Sequence, residues 1–138
     1  RGTNKYHIIR ATLESIAYQV CDVADAMKAD SGIDLRTLKV DGGASANDLL
    51  MQFQADMLNK PVNRPSCVES TGMGASFLAG LATGFWKNKE ELLRTITLDR
   101  VFIPNMDEEE RNKKRKGWNK AVKYAYGWAK DNEDEEEE

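Results

Sequence analysis

The residues best placed to do chemistry lie in one stretch, Leu38-Lys39-Val40-Asp41-Gly42-Gly43-Ala44-Ser45-Ala46-Asn47-Asp48. Leu38–Val40 reads as a short strand, and two glycines turn it directly into a helix. Glycines at such a corner let a backbone approach a ligand that any Cβ would push away. The first amides of the following helix lack intrahelical acceptors and sit at the positive end of its dipole, which suits phosphate or a polar base edge. Asn47 adds a side-chain amide able to pair with an adenine edge or a ribose, and Asp41 could bind a cation through water or simply form the turn. The candidate ligand-binding residues are therefore Gly42, Gly43, Ala44 and Asn47. On the residues alone, a ligand loop and an ordinary tight turn stay equally open.

Two phosphate-binding patterns are excluded. No GxxxxGK[ST] occurs, and no third glycine follows at the spacing of a dinucleotide fingerprint. No catalytic constellation is found elsewhere. The single His7 has no Ser or Cys partner by spacing and reads as an exposed or capping residue. The acids fall mostly on expected solvent faces, and Cys21 and Cys67 form no CxxC. No catalytic residue and no metal ligand is assigned in this chain.

The elements that must hold the loop can be read from periodicity. From His7 to Ala29 apolar residues recur at three- and four-residue steps (Ile8, Ile9, Ala11, Leu13, Ile16, Ala17, Val20, Val23, Ala24, Met27), which predicts a long helix with a wide buried face, stopped at Ser31-Gly32. After the glycines, Ser45 with Asp48 fits a capping box, and Leu49, Leu50, Phe53, Met57 and Leu58 form the expected buried side of the next helix. Lys60–Pro65, fenced by two prolines, reads as an edge or terminal strand. Thr71–Gly84 reads as a helix whose glycines, each costing about 1 kcal/mol relative to alanine, imply close backbone packing for most of them, with close approach of a ligand as the alternative. A short polar helix near Lys89–Arg94 and an irregular stretch to Pro104 follow. A last helix is expected to be capped by Asn105, with Trp118, Ala121, Val122, Ala125 and Trp128 facing a core. The alternation is α/β. Two strands cannot bury three amphipathic helices, so the sheet is expected to be completed by residues outside this chain or covered by another molecule.

The 138 residues, 41% hydrophobic and 31% charged, are those of a globular domain, and the two distant cysteines suit free thiols in a reducing, cytoplasmic setting. No apolar run can span a membrane. The opening Arg1-Gly2-Thr3-Asn4-Lys5 has neither Met nor a following apolar run, which gives the expectation of a piece of a longer chain without a signal peptide. The net charge of −3 averages an acidic run at residues 131–138, expected to be a disordered solvated tail, and a basic cluster at residues 111–116, expected to be a helical face. Nucleic-acid binding would require a broader basic surface with stacking aromatics, so no nucleic-acid partner is expected.

The glycine loop resembles the adenosine motif of the actin, hexokinase and sugar kinase superfamily in the form used by the FGGY carbohydrate kinases. His7-Ile8-Ile9-Arg10-Ala11-Thr12-Leu13-Glu14 is similar to the second half of a signature of that family, and Glu69-Ser70-Thr71-Gly72-Met73-Gly74-Ala75-Ser76 to its small-residue helix near the nucleotide. Most members carry alanine and leucine in place of Gly72 and Met73. Leu50–Asp56, Gly80–Trp86, Glu110–Asn112 and Gly117–Val122 resemble the bacterial members that act on glycerol.

The resemblance implies a partial ribonuclease-H-like nucleotide-binding domain over residues 1–130, the carboxy-terminal part of the second domain of a kinase. Gly43 matches the residue whose backbone meets the nucleotide phosphates, Asn47 the one near adenine, and Gly42 and Ala44 shape the loop. It implies ATP with Mg²⁺ as cofactors and ATP-dependent phosphorylation of glycerol to glycerol 3-phosphate. The glycerol contacts and the catalytic Asp belong to regions outside this chain, which alone is expected to be inactive. A homo-oligomer is expected, and an exposed sheet edge and apolar helix face predict self-association. The alternatives are a kinase of the same family acting on a ketose or another polyol, and a non-catalytic interaction module in which the glycine loop is only a turn.

Overall fold

The computed structural model describes residues 2–127, which divide between Asn105 and Met106 into two units.

The first unit opens with helix α1, Lys5–Ser31. Asn4 caps it by accepting from the Tyr6 and His7 amides, and the His7 ring accepts from the Asn4 amide in return, so the only histidine is a capping group. The helix ends where Gly32 turns left-handed (φ 69°) and its amide reaches the Lys28 carbonyl, as the Ser31-Gly32 stop predicts. Its apolar stripe is far less buried than its periodicity predicts. Only Ala17 and Cys21 are buried, while Ile8, Ile9, Val23 and Met27 are more than half exposed. The reason is coverage: within this unit the main packing partner of α1 is one helix, α2.

Strand β1, Leu38–Lys39, runs parallel to β2, Val62–Pro65, with Leu38 opposite Val62 and Lys39 opposite Asn63. Helix α2, Asp48–Leu58, makes the crossover. A third strand, β3, Leu98–Phe102, pairs antiparallel to β2, giving the order β1-β2-β3. Two expectations are corrected here. The irregular stretch before Pro104 contains a strand, and β2 is the central strand, not an edge. Both prolines are accommodated at its margins: Pro61 precedes it, and Pro65 is its last residue, where the register with β3 shifts. Neither removes a donor from the middle of the ladder.

Alternation along the strands sends Val62 and Phe102 into the core under α2, where Leu50, Met51, Phe53, Ala55 and Met57 meet them. Leu49, expected on the buried side, is 55% exposed. Tyr18 of α1 stacks edge-on against Phe53 at 5.5 Å, and burial, then the nearby Glu14, pushes its phenol up to about 12. Buried polar groups are matched: Gln54 donates to the Ala17 carbonyl, and Asp56 accepts from the Asn105 amide at 2.8 Å and from Gln52.

Helix α3, Ser70–Ala82, leaves β2 and buries no residue. Close packing explains one of its glycines. A Cβ on Gly80 would meet the Trp86 ring at 2.2 Å, whereas Gly72 and Gly74 face open space. Trp86 in turn stacks edge-on with Phe77 and Phe85. A short helix α4, Lys89–Leu93, capped by Asn88, leads into β3.

The second unit holds helix α5, Glu108–Ala125. Its cap is Asp107, which accepts from the Glu110 amide, and not Asn105, whose amide is taken by Asp56. No residue of α5 is fully buried, so the expected core stripe has no buried member among the described residues. Trp128 and the acidic run 131–138 lie outside the described residues.

Candidate functional site

Strands β1 and β2 are parallel, and each leads at its carboxyl end into a helix: β1 through residues 40–47 into α2, and β2 through residues 66–69 into α3. The two connections are joined by the Gly42 amide, which donates to the Val68 carbonyl at 2.7 Å. The space outside the carboxyl ends of parallel strands is where open α/β sheets bind their ligands. A depression of about 320 Å³ lies there, lined by Asp41, Asn63, Ser70 and Leu98 among others.

The four loop residues singled out in the sequence fall together but differ in role. Gly42 has φ 77° and ψ 168°, a conformation essentially restricted to glycine, so the turn itself demands it. Gly43 has no such demand. Its φ is ordinary, and beyond its own turn and chain neighbours no described atom lies within 4 Å of the position a Cβ would take. Gly43–Ala46 coil into one 3-10 turn before α2 begins. Gly43, Ala44 and Asn47 are exposed, and the Gly43 and Ala44 amides meet no acceptor among the described residues. Asn47 caps α2 through its Oδ1, which accepts from the Leu50 amide at 3.1 Å, leaving its Nδ2 donors unused among the described residues.

This corrects the expected capping box. The 3-10 turn moves the start of α2 on by two residues, so the cap is Asn47. Ser45 is buried and its hydroxyl donates to the Gly42 carbonyl at 2.7 Å, closing the turn from within. Asp48, free of capping duty, accepts from two arginines, Arg64 of β2 at 2.8 Å and Arg100 of β3 at 2.6 Å. Arg64 also donates to the Ser45 carbonyl at 2.9 Å and to Asp99 at 2.7 Å, and both guanidiniums lie over the Phe102 ring. The Asp48 and Asp99 carboxylates raise the Arg64 pKa further. Sequence reading missed this cluster. Its one signal was the run of charges at Asp99-Arg100 inside a strand.

Among the described residues no group of three or more His, Cys, Asp or Glu side chains is placed to hold a metal ion, and no helix is long and apolar enough to cross a membrane. Neither Cys21, which is buried, nor Cys67, which is exposed, forms a disulfide.

A parallel strand–helix–strand unit with a glycine loop at its carboxyl edge defines an α/β ligand-binding fold. Residues 1–83 match the model of the FGGY family of carbohydrate kinases, C-terminal domain, and the chain belongs to this family. It is 64% identical over 131 residues to a glycerol kinase of Agathobacter rectalis and 62% identical over 131 residues to that of Aeromonas hydrophila, covering 95% of this chain and 26% of each relative. The chain thus spans about a quarter of the length of the curated relatives it matches. Among solved structures it is similar to Plasmodium falciparum glycerol kinase with ADP (TM-score 0.77, 38% identity, 91% of this chain and 25% of that one). A xylulose kinase from Lactobacillus acidophilus (TM-score 0.69, 23% identity, 93% and 26%) shares the fold. The expected partial ribonuclease-H-like domain, the carboxy-terminal part of such a kinase fold, is borne out by these matches.

Proposed function

We propose that this chain supplies the nucleotide side of an enzyme that transfers the γ-phosphoryl group of ATP to glycerol, yielding glycerol 3-phosphate. The observation that carries the reading is Gly43. Nothing in the fold requires a glycine there, yet its exposed backbone stands at the carboxyl edge of the sheet with open space where a side chain would be. A glycine kept small without an internal reason fits a site where another molecule comes against the main chain. On this reading the Gly43 and Ala44 backbone meets phosphate, Asn47 offers its Nδ2 donors to the adenine, and Gly42 sets the turn that presents them.

Phosphoryl transfer rests on positioning and charge stabilisation more than on covalent chemistry by the protein. This chain contributes the positioning of the nucleotide. The glycerol contacts and the group that accepts the hydroxyl proton lie outside it, and the chain alone is inactive. Mg²⁺ would offset the phosphate charge, held by the phosphates and by the rest of such an enzyme. The location proposed is the cytoplasm and the assembly a homo-oligomer, for which the exposed apolar residues of α1 offer a surface. Residues 1–130 are proposed as one portion of the kinase's second domain.

The test is an assay of the encoded polypeptide that carries these residues, with ATP and a panel of polyols and ketoses, beside the 138-residue chain alone. Phosphorylation of glycerol only, with an inert 138-residue chain, is the expected result. Activity on a ketose would discard glycerol and keep the nucleotide residues. No activity on any substrate would sink the kinase reading.

A further inference from the structure

The site just described has a loop whose own hydrogen bonds are few: Ser45 to Gly42 and Asn47 to Ala44 along the main chain, and the Ser45 hydroxyl to Gly42. Its main chain is tied to β2 and the connection after it by the Val40 amide to the Asn63 carbonyl and the Gly42 amide to the Val68 carbonyl, and beyond Gly42 the side chain that fixes it to the sheet is Arg64. It leaves the central strand β2, is only 12% exposed, and holds three acceptors on three different elements. Nη1 donates to the Ser45 carbonyl at 2.9 Å and to Asp48 Oδ1 at 2.8 Å, while Nε and Nη2 both reach Asp99 Oδ2 at 2.7 Å. Arg100 completes the set by taking the other Asp48 oxygen at 2.6 Å, and both guanidiniums rest on Phe102, itself buried.

We infer that Arg64 is a positioning residue for the nucleotide loop, holding Ser45 and Asp48 so that Gly43 and Asn47, on either side of Ser45, are presented in one fixed arrangement. The inference rests on the nucleotide reading of the loop given above. The chemistry asks for arginine. A planar fork with donors pointing in fixed directions can bind a backbone carbonyl and two carboxylates at once, which the compact ammonium of lysine on its flexible stem cannot do. The two carboxylates orient the fork, and the Phe102 ring supports it from below. The Ser45 carbonyl is the one contact that touches the 3-10 turn itself, so the loop's order depends on the guanidinium and not on charge alone. Arg64 touches no reacting atom in this arrangement and acts only through Ser45 and Asp48.

The experiment uses the encoded polypeptide that carries this chain and compares wild type, Arg64→Lys and Asp99→Asn. Amide hydrogen exchange at Ser45 and Asn47 reads loop order, and exchange at Cys21 and Ala55 reads the core. Arg64→Lys is expected to speed loop exchange about tenfold with the core amides unchanged, and to raise the KM for ATP about tenfold while leaving that for glycerol unaltered. Asp99→Asn, which loosens the fork without touching the loop, is expected to shift the same readouts in the same direction by less. Unchanged loop exchange in both variants, or loop and core exchange rising together, overturns the inference. An equal rise in both KM values overturns it as well. A wild-type polypeptide that binds no ATP overturns the nucleotide reading by itself, and exchange then decides whether Arg64 holds the loop.

Discussion

Gly42 and Gly43 are adjacent, yet the fold requires glycine at only the first: Gly42 sits at φ 77° with its amide bonded to Val68, whereas Gly43 has ordinary backbone geometry and empty space around its missing Cβ. The pair therefore separates folding from binding. Gly42→Ala should destabilise the first unit by roughly 1–3 kcal/mol, the cost of holding a side chain in that region. Gly43→Val should leave stability within about 0.5 kcal/mol of wild type and weaken nucleotide binding. Urea unfolding and ATP titration of both variants check the pair. If Gly43→Val bound ATP normally, the loop would be a turn and nothing more.

Asn47 carries two duties on two different atoms, which chemistry can divide. Its Oδ1 caps α2, and its Nδ2 donors are the proposed adenine contact. Asn47→Ala removes both and should cost about 1 kcal/mol of stability as well as affinity for ATP. Asn47→Asp keeps a capping oxygen and deletes the donors, so it should retain stability and still lose ATP affinity, with glycerol affinity intact. An Asp variant that binds ATP as wild type does would assign Asn47 to the helix cap only.

The loop was legible in the sequence because its signals are local: a strand ending in two glycines, followed by a helical period. The same locality misplaced its cap. Ser45 and Asp48 stand at capping-box spacing, but one 3-10 turn intervenes, and Asp48 answers to arginines 16 and 52 residues away. β3 was hidden for a related reason. Asp99 and Arg100 interrupt its apolar alternation because they serve that same distant cluster. The long stripe of α1 showed a helix correctly. How much of it is covered depends on what packs there, and periodicity carries no information about that.

In α3 the crowded glycine makes a prediction of its own. A methyl group at Gly80 would lie 2.2 Å from the Trp86 ring, so Gly80→Ala must push the indole off the helix and break its edge-on contacts with Phe77 and Phe85. The expected result is a shift of the Trp86 indole NH resonance and a loss of roughly 1–3 kcal/mol. Gly72→Ala and Gly74→Ala, with open space around each, should stabilise the helix slightly, because alanine is the better helix former by about 1 kcal/mol. Equal effects at all three positions would refute the packing account.

Asp34 gives the pH prediction. Its carboxylate lies between two ammonium groups, Lys60 Nζ at 2.6 Å and Lys28 Nζ at 2.9 Å, which hold its pKa down at about 2. A carboxyl that is more acidic folded than unfolded stabilises the fold above its unfolded pKa, about 3.9, and loses that contribution as pH falls towards the folded value. Between about pH 4 and pH 2 the unfolded chain binds the proton first, so stability should fall with acidification more steeply than it does for Asp34→Asn. Above that window the variant should be the less stable of the two by a constant margin, small because the groups are exposed to solvent. Urea midpoints measured at intervals from pH 2 to pH 7 test this. Parallel curves for the two proteins across pH 4 to pH 2 would show that the lysines do not hold Asp34 in solution.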